Sequence, residues 1–151
     1  MAATAWKLFY RAKRNLGAGN INLTTGAVLK LSLHKTSASA NLLTSVASIF
    51  SEVGSEIPEA AGYTAGGKAL PNVKWTVSGS TMRFTFSSTG LAFTATGSAL
   101  SSIRYAVIRT SIGATSGRVI CYCALSTAQF DLASPNTLTI IPASGGVFTL
   151  V

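Results

Sequence analysis

Negative charge is almost absent from this sequence. Glu52, Glu56, Glu59 and Asp131 are its only acidic side chains, set against twelve Lys and Arg, for a net charge of +8. Charged residues make up 11% of the chain, where a soluble domain ordinarily carries about 25%. Such a chain has difficulty covering its surface with charge, and a surface of that kind usually meets another protein rather than water alone. Histidine is scarce as well, with His34 the single imidazole. Acid–base and nucleophilic catalysis need groups that titrate, and metal sites need clusters of Cys, His, Asp or Glu. The sequence offers neither pattern, so no enzyme, cofactor or metal is expected. His34 falls on the polar phase of its strand and is expected to be exposed. Serine is too abundant for any Ser-His-Asp order to mean more than coincidence. Glu52 and Glu56 are a conceivable acid–base pair around a sugar, but a helix end and a loop make them solvated carboxylates in expectation.

Cysteine is limited to Cys121 and Cys123. Two residues apart on a strand they point to one face, with Cα atoms about 7 Å apart. A bridge is therefore not expected, and both read as small residues on a buried face. Although 48% of residues are hydrophobic, no apolar run reaches the ~18 residues of a membrane span, so a membrane is not an expected partner. Met1 to Arg14 is basic, lacks a long apolar stretch and does not read as a secretory signal.

What is present is mostly Ser, Thr, Gly, Ala and branched apolar residues in short alternating runs. At 151 residues the chain fits one domain with a sizeable core. We read residues 1–20 as a basic, aromatic docking arm and 21–151 as one β-sandwich domain. Trp6, Phe9 and Tyr10 have helical spacing within Ala5–Leu16, so this arm is either a short helix or an ordered extension. Leu29, Leu31 and Leu33 alternate with Lys30, Ser32 and His34, as in a half-buried strand. Asn41 to Val53 places Leu42, Leu43, Val46, Ile49, Phe50 and Val53 on one face of a short amphipathic helix. Gly54 to Pro71 reads as a long loop holding Glu56 and Glu59. From Val73 on, strand follows strand: Val73–Val77 and Thr81–Phe86 about a Ser78-Gly79-Ser80 turn, then Leu91–Ala95, Ile103–Arg109, Arg118–Leu125, Gln129–Leu132, Thr137–Ile141 and Val147–Leu150. Short strands at intervals of ~8–12 residues predict a mainly β, antiparallel sandwich or jelly roll.

One motif misleads. Gly62-Tyr63-Thr64-Ala65-Gly66-Gly67-Lys68-Ala69 matches most of a phosphate-binding loop. Ala69 stands where a magnesium-binding hydroxyl is required, no buried strand precedes the loop, and Pro71 stops any following helix. A turn leading into the Val73 strand is the plainer reading.

The opening Trp6-Lys7-Leu8-Phe9-Tyr10-Arg11-Ala12-Lys13 and the following Leu16-Gly17-Ala18-Gly19-Asn20-Ile21-Asn22-Leu23 resemble a group of small tailed-bacteriophage virion proteins. So do Glu52-Val53, the Gly62 to Leu70 segment leading into Trp75, Ile103 to Ile108, and the ending Asn136 to Ile140 through Gly146 to Leu150. The likeness runs nearly end to end and rests on the order and spacing of the motifs. Members often carry acidic residues after the first glycines, where this chain has Asn20, Asn22, Thr24 and Thr25. The resemblance implies a structural component of the virion, assembled in the host cytoplasm.

Charge then suggests where it would sit. Lys7, Arg11, Lys13 and Arg14 crowd the first fourteen residues. An acidic shell exterior would attract them, with Trp6, Phe9 and Tyr10 as pocket-filling anchors. A head decoration (cement) protein, docked on the major capsid protein or other virion proteins as a homo-oligomer, is the leading expectation. A neck or tail component at the portal vertex is the alternative. From a different class comes a carbohydrate-binding adhesin using Trp75 or Tyr63 as platforms. Nucleic-acid binding is not expected, because the remaining cations are scattered singly rather than gathered on one face.

Overall fold

The computed structural model describes residues 3–24, 27–39, 42, 47–111 and 116–150. Its elements are β1 (Lys7–Leu8), α1 (Tyr10–Gly17), β2 (Leu29–His34), β3 (Lys68–Ala69), β4 (Lys74–Ser78), β5 (Thr81–Thr85), β6 (Leu91–Thr94), β7 (Leu100–Ile103), β8 (Tyr105–Thr110), β9 (Val119–Ala124), β10 (Phe130–Leu132), β11 (Thr137–Ile140) and β12 (Phe148–Leu150). The protein is mainly β, and every strand pairing is antiparallel. A five-stranded sheet of order β1-β9-β8-β2-β3 forms one layer. The β12-β5-β4 sheet and the β11-β6 and β10-β7 pairs make up the rest of a sandwich-like arrangement. The hairpin expected at Ser78-Gly79-Ser80 is present, with Ser78 opposite Thr81.

All six residues of β8 are buried, as are five of the six in β9. Their near-continuous apolar sequences are those of strands covered on both faces. Cross-strand partners share a face, so register sorts the sheet. Leu31 and Leu33 pair with Ile108 and Ala106, and these in turn with Cys121 and Cys123. That side is apolar, and both cysteines are buried free thiols, as expected. The other side carries Lys30, Ser32 and His34 opposite Arg109, Val107 and Tyr105. β2 is not half-buried: Ser32 and His34 are buried along with its leucines. The expected exposed imidazole is therefore wrong, because the polar phase of β2 is roofed by the chain from Ile49 to Gly67.

The N-terminal segment does not stand off the domain. β1 adds an edge strand to β9, and Thr4 N–H donates to the Ala124 carbonyl at 2.8 Å. Phe9 is buried, with its ring 5.1 Å from that of Tyr122. Arg, Ala, Lys and Leu favour the α1 helix, which is anchored on its inner side by Ala12 and Asn15. Ala18, Gly19 and Asn20 turn their N–H groups back to the carbonyls of Arg14, Leu16 and Asn15, closing its end. One cluster of buried residues runs from Phe9 to Val147.

Of the helix expected over Asn41–Val53, residues 41 and 43–46 lie outside the described residues. At its C-terminal end the chain is not α-helical. Ile49 forms a bridge with Arg118, and Phe50–Glu52 is a single 3-10 turn. The Glu52 carboxylate explains this. It accepts the N–H groups of Ser48 and Ile49 at 2.5 and 3.1 Å, drawing the backbone into a tight cap.

Candidate functional site

The residues expected to dock a partner divide sharply by position. Tyr10 is 70% exposed, and Lys7, Arg11, Lys13 and Arg14 are also exposed. Trp6 is half-buried, packed against the core. Phe9, 2% exposed, is a core residue and presents no anchor to a partner. The reason is periodicity: the chain is extended through Lys7–Leu8 and turns helical only at Tyr10, so Phe9 points inward at the junction while Tyr10, Arg11, Lys13 and Arg14 face outward. The first turn of α1 holds no acidic residue, and Arg14 lies in its last turn, where the helix dipole favours a cation. Arg11 is near enough to Glu52 to add to the shift of its carboxyl, which the Ser48 and Ile49 amides chiefly hold below its ordinary range.

Beside this face opens a groove of about 490 Å³, lined by Lys13, Leu16, Ile21, Leu23, Trp75 and Leu150 among others. Trp75 is half-buried, its ring 6.1 Å from that of Phe148. Its place between Lys74 and Thr76 on a strand favours core over a glycan platform. Only the packing of β4 beside α1 brings it to the lip of a groove with a cation. Tyr63, the other candidate glycan platform, is 2% exposed and offers no open ring face.

The roof over β2 and β8 is held by a buried polar network. Arg109, 1% exposed, stacks its guanidinium 4.2 Å from the Phe50 ring centroid. It donates to the carbonyls of Gly66 and Thr110 at 2.9 and 3.1 Å. Glu56 lies near enough to favour the charged guanidinium against its burial. The same carboxylate accepts the Tyr63 hydroxyl and the Gly66 N–H, both at 2.6 Å. Burial first, and Glu56 second, push the Tyr63 hydroxyl above its ordinary pKa. The segment that mimics a phosphate-binding loop is thus wrapped around a carboxylate and a guanidinium of its own chain. Lys68 leaves it to sit over Phe93 and donate to the Ala92 carbonyl at 3.0 Å.

His34 completes this layer. A carbonyl can only accept, so the 2.8 Å contact to the Gly54 oxygen makes Nδ1 the donor. Nε2 then accepts from the Ser32 hydroxyl at 2.9 Å. Burial pulls the imidazole pKa down to about 4. The arrangement has the outline of a nucleophile and its base with a carbonyl in the third place. With Ser32 and His34 both at 0% exposure, no substrate reaches it in this conformation.

The four carboxylates share one role. Glu52 and Glu56 bond backbone N–H groups as described, Glu59 accepts from Ala65 at 3.2 Å, and Asp131 from Ser102 at 2.7 Å. They tie loops while Glu52, Glu59 and Asp131 stay exposed to solvent, as expected for Glu52, and Glu56 is half-buried; Glu52 and Glu56 are each occupied by different donors. Compared with protein-family models, curated proteins and solved structures, the chain finds no match.

Proposed function

We propose that this chain is a non-enzymatic structural protein of a tailed-bacteriophage particle, carried on the head shell as a decoration protein. The supporting observation is the outward face of α1. Tyr10, Arg11, Lys13 and Arg14 stand exposed on a helix whose other side is locked to β9. A preformed cationic patch with an aromatic beside it loses little entropy on docking, and it steers the protein toward an acidic surface. The groove at Lys13 and Trp75 offers the adjoining apolar seat. The carboxylates are spent on loops, so they leave this patch unneutralised apart from Glu52 near Arg11. Exposed Val77 and Ile141, 66% and 57% accessible, suit self-association around a symmetry axis of the shell.

Truncating the first fourteen residues would remove β1 and Phe9 and so would confound docking with folding. Charge reversal avoids this. Arg11→Glu, Lys13→Glu and Arg14→Glu together alter only exposed side chains. Mixed with bare shells, the triple variant should fail to coat them while keeping the parent's circular dichroism. Equal coating by variant and parent would overturn the reading. Image reconstruction of whole particles separates the shell from the portal vertex: density over the entire head supports decoration, and density confined to one vertex replaces it with a neck or tail role.

A further inference from the structure

Register places Lys74 opposite Thr85, and Arg83 opposite both Thr76 and Thr149. Strand alternation therefore gathers Lys74, Thr76, Arg83 and Thr85 on one face of β4 and β5. Trp75 and Phe84 take the other face, against Phe148. On the polar face lies a cavity of about 580 Å³ whose lining includes Asn72, Lys74, Arg83, Thr85, Ser88 and Ser144. No acidic side chain is among the residues that line it.

Arg83 is held ready there. The turn Ala143–Gly146 closes through the Gly146 N–H to the Ala143 carbonyl at 2.8 Å. Gly146 lies against the arginine stem, where an added Cβ would stand 2.8 Å from Arg83 Cγ, so a glycine is required beside it. Its Nη1 reaches the Ser144 carbonyl at a long 3.4 Å, and its buried Nε has no hydrogen-bond partner in the protein. A guanidinium that is positioned yet unmatched by a carboxylate, with an ammonium on the next strand, is arranged for an oxyanion.

We propose that this cavity binds a small saccharide carrying one anionic group. Lys74 and Arg83 hold the phosphate or carboxylate, and Asn72, Thr85, Ser88 and Ser144 meet the sugar hydroxyls. The size argues for more than a bare ion, because the volume falls within the about 300–1,000 Å³ typical of small-molecule sites. The polar lining argues for a hydroxylated ligand rather than an apolar one. The site shares no lining residue with the face of α1, so it stands or falls apart from shell docking.

Amide chemical shifts followed during titration test it, with glucose 6-phosphate, glucuronate, glucose and inorganic phosphate as probes. The two acidic sugars should shift amides within 72–74, 83–88 and 142–144, and the stronger of them identifies the preferred anion. Glucose and inorganic phosphate should bind the same residues about tenfold more weakly or worse. Lys74→Met and Arg83→Met keep the apolar stems, so their spectra should stay folded while affinity falls about tenfold. Lys13→Met should bind as the parent does. Shifts scattered over the cations, or inorganic phosphate binding as tightly as the acidic sugars, would overturn the proposal.

Discussion

His34 shows how far one side chain's environment can reverse its sequence reading. The imidazole sits on the polar phase of β2, yet that phase faces Phe50, with ring centroids 5.6 Å apart, and a covering loop rather than water. Folding lowers its pKa from 6.5 to about 4, so the unfolded chain takes up the proton first as pH drops. Stability is complete above 6.5 and is lost as pH falls from 6.5 toward about 4, by about 3 kcal/mol in all. Glu52, whose carboxyl is held below its ordinary 4.5, contributes its own loss only at lower pH. Urea midpoints between pH 7.5 and 5 should therefore fall for the parent and stay flat for His34→Gln. A parent midpoint that does not move with pH would show that the imidazole is not buried neutral.

At the scale of elements, glycine spacing that resembled a nucleotide-binding loop turns out to serve strand packing. Gly67 has φ +77, and a Cβ there would stand 2.0 Å from the Leu31 carbonyl oxygen. β3 can lie against β2 only because that atom is missing. Gly79, in the β4–β5 turn, has φ +62 but open space around it. Gly67→Ala should thus cost about 3 kcal/mol or more, from backbone strain together with collision. Gly79→Ala should cost about 1 kcal/mol, from strain alone. Thermal unfolding of the two variants gives the comparison, and similar losses would mean that the β2–β3 contact yields easily. Loop ties follow the same economy. Glu56 and Glu59 capture the backbone N–H groups of Gly66 and Ala65, which helps shape the stretch from Gly54 to Pro71 although β3 is its one named strand.

For the whole molecule, a surplus of +8 on 151 residues makes association salt-dependent, since exposed charges beyond a Debye length of about 8–10 Å are screened at physiological ionic strength. Coating of bare shells should weaken progressively from low to high salt, and the Arg11, Lys13 and Arg14 reversal should flatten that dependence as well as lower binding. Sedimentation of shells with bound protein across a salt series measures both. Coating that ignores salt would shift the interaction from the cationic face to the apolar groove at Trp75. Folding itself should respond far less to salt, because the core that unites Phe9 to Val147 is apolar.

Alternation and turn residues, which act within a few positions of each other, were enough to predict an antiparallel β-protein, the β4–β5 hairpin and the buried free thiols. β1 and β3 are two-residue pairings that carry no periodicity, and Leu100-Ser101-Ser102-Ile103 of β7 does not alternate, so none of the three is legible as a strand. The run of cations at Lys7, Arg11, Lys13 and Arg14 is visible in the sequence, but the division of the neighbouring aromatics into core Phe9 and exposed Tyr10 is not. It depends on where the extended chain becomes helical, which pairing with β9 decides. Long-range packing alone turned the polar side of β2 inward, brought Glu56 near Arg109 and set Trp75 beside Lys13. Those contacts join residues far apart in the chain, and no local pattern of side chains encodes which distant surface will cover them.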